Sequence, residues 1–325
     1  MIRATVDRAA AAVGAERTWI VTHPGLANAL PEVLPDFPLE RVIVEPEPRD
    51  TAPCVALASA TVEACAPGAT MAFLPADQLI EPQEKFTEIL QRAAGIASQG
   101  DALVTFGIPP THPATTYGYI EQAERRDDQE PAAFSVRQFR EKPDVATAQE
   151  FIDRGSFLWN SGMFLWTFEA LLAAMRVGNP DLAQSTSAIL GAVQAGDREQ
   201  AERVFRTSPK TSVDYAVMEN APEVVVVHTD LSWLDLGSFT TLGAVAPTDA
   251  DGNVTSLHGG ARSITEAARN CVVYGEGPRA VALFGVEDLV VVSMGDCVLV
   301  CAKDRADELK AMVGRLSDHG MEDLL

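Results

Sequence analysis

Positive charge is scarce in this chain: 25 Lys and Arg stand against 46 Asp and Glu, a formal charge of -21 over 325 residues. A field of that sign repels nucleic acid polymers and anionic membrane surfaces, so a phosphate-bearing ligand has to be held locally, by particular cations or by metal ions. Cysteine is scarce too. The 5 present (Cys54, Cys65, Cys271, Cys297 and Cys301) are odd in number and form no CxxC pair, which argues against a disulfide framework or a zinc cluster and leaves them as small buried hydrophobes. No apolar run approaches the roughly 18 residues of a membrane-spanning helix. The opening Met1-Ile2-Arg3-Ala4-Thr5-Val6-Asp7 lacks the apolar core of a signal peptide. The expectation is a cytoplasmic protein without membrane or nucleic acid partners. No low-complexity tract and no long internal repeat stands out.

What is present is enough apolar material for a large core, 47% of residues, in a chain longer than one typical domain of roughly 100–200 residues. Apolar runs of strand length alternate with amphipathic stretches of helix length, which predicts an α/β protein with a mainly parallel sheet. Strands are expected at 17–22, 41–45, 69–74, 102–106 and 224–228. Helices are expected from Thr51 to about Ala66, with Pro53 in the first turn, and over 85–98. From Phe151 to about Glu219 the chain reads as mostly helical, interrupted by an extended stretch at Trp159–Phe168. The texture changes after the turn-rich 247–253 junction: short strands at 271–274, 280–284, 289–293 and 298–302, then one helix from about Arg305 to Leu316. This divides the chain into residues 1–247 and a small β-rich module, 248–325.

The candidate chemistry lies in the first part. Asp77 follows the buried strand ending at Leu74-Pro75 and should project from the carboxyl edge of the sheet, where open α/β folds bind ligands. A carboxylate there is a hard oxygen ligand suited to Mg2+. Asp235, between Trp233 and Gly237, offers a second carboxylate, although their separation along the chain carries no geometric information. In Arg140-Glu141-Lys142-Pro143, the proline disfavours helix at Lys142, so a strand end or turn is expected, with the Glu141 and Lys142 side chains on opposite faces if the segment is extended. The ammonium of Lys142 suits a phosphate, and the Glu141 carboxylate can accept from two sugar hydroxyls. Asn160, in Trp159-Asn160-Ser161-Gly162-Met163-Phe164, is an amide in apolar surroundings that needs partners if buried. Gly118 sits between Tyr117 and Tyr119 at the entry to a strand. Each residue also has a plain structural reading: a loop aspartate, a surface ion pair, a turn asparagine, a β-bulge glycine.

Taken together and in order, these segments resemble the sugar-1-phosphate nucleotidylyltransferases, specifically the mannose-1-phosphate guanylyltransferase group. Glu45-Pro46 through Leu57, Phe73–Ile80, Thr105–Ile108, Tyr117–Ile120, Phe139–Pro143, Trp159–Phe164, Ser212–Glu219 and Trp233–Phe239 carry the resemblance. It implies a Rossmann-like nucleotidyltransferase domain, a left-handed β-helix-like C-terminal part, and transfer of GMP from GTP to mannose 1-phosphate. By motif, it makes Asp77 and Asp235 magnesium ligands and gives Lys142 the sugar phosphate. Glu141 and Asn160 would contact mannose, and Gly118 would let the main chain approach the sugar nucleotide. The β-rich module offers a surface for a homodimer. The sequence also departs from the family pattern. The usual opening strand and glycine-rich phosphate loop have no counterpart here, and the first residues resemble the helix that follows them. In this fold that strand is internal, so neighbouring strands would expose ladder groups. Asp50, Gln78 and Thr116 replace the usual Asn, His and Gly, and Asp50 would weaken GTP binding if it points inward. Two other functions follow from the departures: a non-catalytic subunit that binds a sugar phosphate, or a nucleotidylyltransferase for another sugar or base.

Overall fold

The protein is described by a computed structural model over residues 1–100 and 102–321. In chain order its first elements are α1 (Ile2–Val13), β1 (Ile20–Thr22), α2 (Pro24–Ala27), α3 (Leu30–Val33), β2 (Val42–Val44), α4 (Thr51–Cys65), β3 (Thr70–Phe73), β4 (Gln78–Glu81), α5 (Gln83–Ala97) and β5 (Leu103–Ile108). There follow β6 (Tyr119–Arg125), β7 (Ala133–Arg140), α6 (Val145–Arg154), β8 (Phe157–Thr167), α7 (Phe168–Gly178), α8 (Pro180–Gln194), α9 (Arg198–Thr207), a π-helical turn at Asp214–Met218, β9 (Val224–His228) and β10 (Ser232–Asp235). Contacts divide the chain into two compact units. One comprises Met1–Ala76 with Ile80–Trp233; the other comprises Asp77–Leu79 with Leu234 onward.

The first unit is a layered α/β fold. Its central strands are nearly continuous apolar runs because helices cover both of their faces. Leu103, Val224 and Val226 pack with α4, α7, α8 and the π-turn, whereas Val104, Phe106, Val225 and Val227 pack with Phe86, Ile89, Leu90 and Ala93 of α5. The apolar positions of α5 recur at three- and four-residue spacing, which gives it one buried face. By contrast α4 buries Ala52, Ala56 and Ala60 almost completely, with neighbours on more than one side.

The strands form a six-stranded sheet in the order β3-β8-β5-β9-β7-β6, while β1 and β2 make a separate parallel pair. The α/β class and the parallel elements are as expected. Among the described residues of the six-stranded sheet, however, only the β5–β9 pairing is parallel. The long strand β8 runs antiparallel to β3, β5 and β6, and the β6–β7 hairpin adds another antiparallel pair. The expectation of a mainly parallel sheet is therefore corrected to a mixed one. The stretch read as a break between helices, Trp159–Phe168, is this central strand, and Thr167 caps the helix that follows by accepting from the Ala170 amide.

The π-turn is fitted tightly against α7. A Cβ added at Gly178 would lie 2.3 Å from the Ala216 carbonyl oxygen, a backbone atom with little freedom to withdraw. Gly178→Ala is expected to cost on the order of 1–3 kcal/mol, as overpacking does. Urea unfolding would show this as a lowered midpoint, and an unchanged midpoint would mean that the two backbones separate freely.

The second unit continues with β11 (Val254–His258), β12 (Arg262–Glu266), β13 (Val272–Glu276), β14 (Ala280–Phe284), β15 (Leu289–Met294), β16 (Cys297–Ala302) and α10 (Leu309–Val313). Parallel pairing of β11 with β13 and of β13 with β15 sets Val254 beside Val272 and Val272 beside Val290, at equal spacing along the chain. These valines form the spine of its core. The β12–β14 pair lies parallel beside that stack, as in a β-helix, and β16 closes it antiparallel to β15. The helix expected over 305–316 is instead a 3-10 segment, Lys303–Glu308, followed by the short α10. All five cysteines are free thiols; Cys271 is buried as expected, whereas Cys65 and Cys297 are exposed. Among the described residues, no helix is long and apolar enough to cross a membrane.

Candidate functional site

Gly118, Glu141 and Asn160, distant in sequence, meet at the end of the sheet where β6, β7 and β8 run side by side. Tyr119 pairs with both Arg140 and Trp159, so the residue before β6, the residue after β7 and a residue within β8 become neighbours. The Asn160 backbone N–H donates to the Gly118 carbonyl at 2.7 Å. Gly118 is close to Glu141 as well: a Cβ there would sit 2.6 Å from Glu141 Oε2 and 3.3 Å from Asn160 Cβ. Only glycine leaves the Glu141 carboxylate where it is. Beside this cluster Tyr117 packs edge-to-face on Trp159 and on Trp233, with ring centroids 5.2 and 5.1 Å apart. Trp159 and Asn160 are successive strand residues and face opposite ways, so these rings pack with Tyr119 and Phe151 on the other side of the strand from the Asn160 side chain.

Lys142 lies in the turn after β7, as expected, but its φ of 46° is left-handed, an uncommon conformation for a lysine and unfavourable before Pro143. The turn overturns the extended geometry that would have put Glu141 and Lys142 on opposite faces. The Lys142 ammonium instead reaches back to within 3.3 Å of Glu141 Oε1, and the Glu141 side chain is 10% exposed against 60% for Lys142. The arrangement is a sheltered carboxylate with a cation on its solvent side. Burial pushes the Glu141 carboxyl above its usual range, the Lys142 charge and hydrogen bond pull it down, and the Glu219 charge raises it again.

One residue of the cluster was not singled out from the sequence. Asp214 opens the π-turn, which is closed by the Glu219 amide donating to the Asp214 carbonyl at 2.9 Å. Its carboxylate accepts from Asn160 Nδ2 at 3.1 Å. Burial, and then the charge of Glu141, push Asp214 up to about 7, against the opposing pull of its own amide, Lys142 and Asn160. Its motif, Ser212-Val213-Asp214-Tyr215, was visible, but an expected α-helix through this stretch gives no reason to aim Asp214 at β8.

Asp77 and Asp235 come together in the second unit. β4 and β10 pair in a two-stranded ribbon, and the Leu236 amide donates to the Asp77 carbonyl at 3.1 Å, so the two aspartates lie on adjacent strand ends. Asp77 is exposed and Asp235 half-buried. Asp235 Oδ1 accepts from the Gly237 amide at 3.0 Å, which holds its carboxylate in a turn. No group of three or more His, Cys, Asp and Glu side chains suited to a metal occurs among the described residues. Two hard carboxylates without soft ligands suit magnesium, which takes one or two protein carboxylates and fills its remaining positions from water and phosphate. Asp50, which was expected to weaken a nucleotide site if it pointed inward, engages its carboxylate with the Thr51 amide at the start of α4, 2.8 Å away.

Comparison with known proteins gives the family of the chain. The nucleotidyl transferase family matches residues 1–252, and the MannoseP isomerase/GMP-like beta-helix domain matches residues 262–316. The chain is 37% identical over 286 residues to a mannose-1-phosphate guanylyltransferase of Escherichia coli, covering 86% of this chain and 59% of that protein. It is 36% identical over 284 residues to the alginate biosynthesis protein AlgA of Pseudomonas aeruginosa, covering 86% and 57%. The chain therefore spans less than two thirds of these relatives. Among solved structures, one from Thermus thermophilus described as a mannose-1-phosphate geranyltransferase superposes with a TM-score of 0.80 at 33% identity, covering 97% of this chain and 89% of that one. A Helicobacter pylori mannose-6-phosphate isomerase, at 22% identity and a TM-score of 0.60, shares the fold. Nucleotidyl transferases of this family commonly use a divalent metal ion. The chain belongs to the nucleotidyl transferase family and carries a MannoseP isomerase/GMP-like beta-helix domain after it.

Proposed function

We propose that the chain transfers GMP from GTP to mannose 1-phosphate, giving GDP-mannose and pyrophosphate. The observation that carries this reading is the cluster of Gly118, Glu141, Asn160 and Lys142: a carboxylate and an amide suited to hydroxyls, with an ammonium beside them. The name of the Escherichia coli relative supports the choice of sugar and nucleotide. We assign the transfer chemistry to residues 1–247 and the β-rich module to residues 248–325. The exposed Ile264 and Phe284 on β12 and β14 support a homodimer through that module.

In this reading Glu141 and Asn160 hold the mannose hydroxyls, Gly118 keeps the main chain close to the sugar, and Lys142 binds the sugar phosphate. The reaction is an in-line displacement at the α-phosphorus of GTP. An oxygen of mannose 1-phosphate forms the new P–O bond, and the bond to pyrophosphate breaks with its electron pair. The attacking oxygen is already deprotonated at neutral pH, so the protein needs no general base, and positioning with charge neutralisation supplies the rate. Asp77 and Asp235 would hold Mg2+, which when bound offsets the charge on the phosphate oxygens.

The test is a panel of GTP, ATP, UTP and dTTP against mannose 1-phosphate and glucose 1-phosphate, read by pyrophosphate release. The expected result is a clear preference for GTP with mannose 1-phosphate. Preference for another pair would assign a different sugar nucleotide. Binding of a sugar phosphate without turnover of any pair would make this chain a non-catalytic subunit.

A further inference from the structure

Asn160 has one oxygen with two acceptor positions and one nitrogen with two donors. The fold uses three of these four. The Gly162 amide donates to Oδ1 at 3.2 Å, and the Thr105 hydroxyl lies 3.1 Å from the same oxygen, sharing its proton with the Met163 carbonyl at 2.9 Å. On the other side Nδ2 donates to Asp214. An amide rotated by half a turn would face the Gly162 N–H with its own N–H and face a carboxylate with its oxygen, both repulsive. Asp214 and Gly162 therefore fix the amide, and what remains for a ligand is one N–H of Asn160.

Asp214 is itself firmly placed. Immediately before it the Val213 amide donates to Thr51 Oγ1 at 2.9 Å, and the Ala52 amide donates to the Thr211 carbonyl at 3.1 Å, which ties the segment to the start of α4. The unusual i→i+5 closure from Asp214 to Glu219 is a feature that recurs where a helix is bent to serve a site.

We propose that Asp214 is the positioning residue of the sugar subsite: by holding the Asn160 amide it leaves Asn160 able only to donate, next to a Glu141 carboxylate able only to accept. The pair then reads a sugar through complementary contacts, one hydroxyl oxygen accepting from Asn160 and hydroxyl protons donated to Glu141. A ligand presenting a carbonyl or an ether oxygen to Glu141 is excluded, because two acceptors would meet. This rests on the sugar-phosphate reading and adds the residue that sets its hydrogen-bond polarity.

The experiment uses the whole chain and three forms: wild type, Asp214→Ala and Asp214→Asn. Mannose 1-phosphate and GTP are titrated separately by calorimetry. The side-chain amide of Asn160 is followed by NMR in protein labelled at asparagine. Asp214→Ala is expected to weaken mannose 1-phosphate about tenfold, the effect of one lost charge-assisted hydrogen bond, with GTP changed less than about twofold. Asp214→Asn, whose side-chain oxygen still accepts from Nδ2, is expected to recover most of the loss. In the ligand-free protein the Asn160 amide resonances should move in the alanine variant and stay near the wild-type position in the asparagine variant. Equal mannose 1-phosphate affinity in all three forms overturns the proposal, as does equal weakening of both ligands in the alanine variant. If the wild type binds no sugar phosphate, the functional reading fails. The Asn160 resonances then decide the positioning role alone, and their indifference to Asp214→Ala overturns it.

Discussion

Asp235→Asn is expected to lower metal-dependent turnover by about 10²–10³-fold while leaving the unfolding midpoint unchanged. The size follows from what the substitution removes. A reaction carried by positioning and charge neutralisation depends steeply on each group that holds the compensating charge, and deleting one such stabilising contact commonly costs about 10²–10³ in rate. The two effects separate because asparagine keeps the shape and an acceptor oxygen while losing the charge. Its Oδ1 accepts from the Gly237 amide, and an asparagine oxygen continues to do so, so the turn after β10 keeps its geometry. The negative charge offered to a divalent ion is lost. Manganese binding, followed by electron paramagnetic resonance, should weaken in parallel with turnover. Turnover close to wild type in this variant would remove Asp235 from the metal site and leave Asp77 without its partner.

How the two aspartates meet also marks where sequence reading reached its limit. Asp77 was placed at the carboxyl end of a buried strand by the apolar run before it, and Asp235 by its aromatic and glycine neighbours. Nothing in either segment specifies the ribbon that pairs Gln78–Glu81 with Ser232–Asp235, because strands of four residues hold too few alternating positions to set a register of their own. The buried elements were legible for the opposite reason. Continuous runs such as Val224–His228, and the spaced apolar face of α5, have few alternatives once they must be covered. Of the β6–β7 hairpin only the strand entry at Tyr119 and the strand end or turn at Lys142 were read, because Glu121, Gln122, Glu124, Arg125, Arg137 and Gln138 make the rest look like surface loop. At Lys142 the following proline argued against helix but could not select the left-handed turn that brings the ammonium back onto Glu141. Asp214 was hidden by its setting in helical sequence, since the difference between an α-turn and a π-turn is one hydrogen bond that tertiary contacts decide.

Asp214 is also expected to make the stability of the protein depend on pH across neutrality. Its carboxyl is pushed from an ordinary value of 3.8 up to about 7, first by burial and then by the charge of Glu141. A group whose folded value is raised binds its proton more tightly in the folded state. Its contribution to stability is fully present below the unfolded value, near 3.8, and is lost as the pH rises through about 7. Asp214→Asn removes this proton linkage while keeping an acceptor for Asn160 Nδ2. The variant should therefore gain on the wild type as pH rises, by about 2–3 kcal/mol between pH 5 and pH 8 at about 1.4 kcal/mol per pH unit below the folded value. The Glu141 charge works in the same direction: as Glu141 ionises it makes the ionised Asp214 less favourable, so the loss is spread over a wider range than that of an isolated carboxyl. Denaturant unfolding of both proteins at half-unit intervals of pH measures the difference directly. Curves that run parallel from pH 5 to pH 8 would show that Asp214 titrates as an ordinary carboxylate, and the electrostatic coupling between the two sugar-site carboxyls would have to be abandoned.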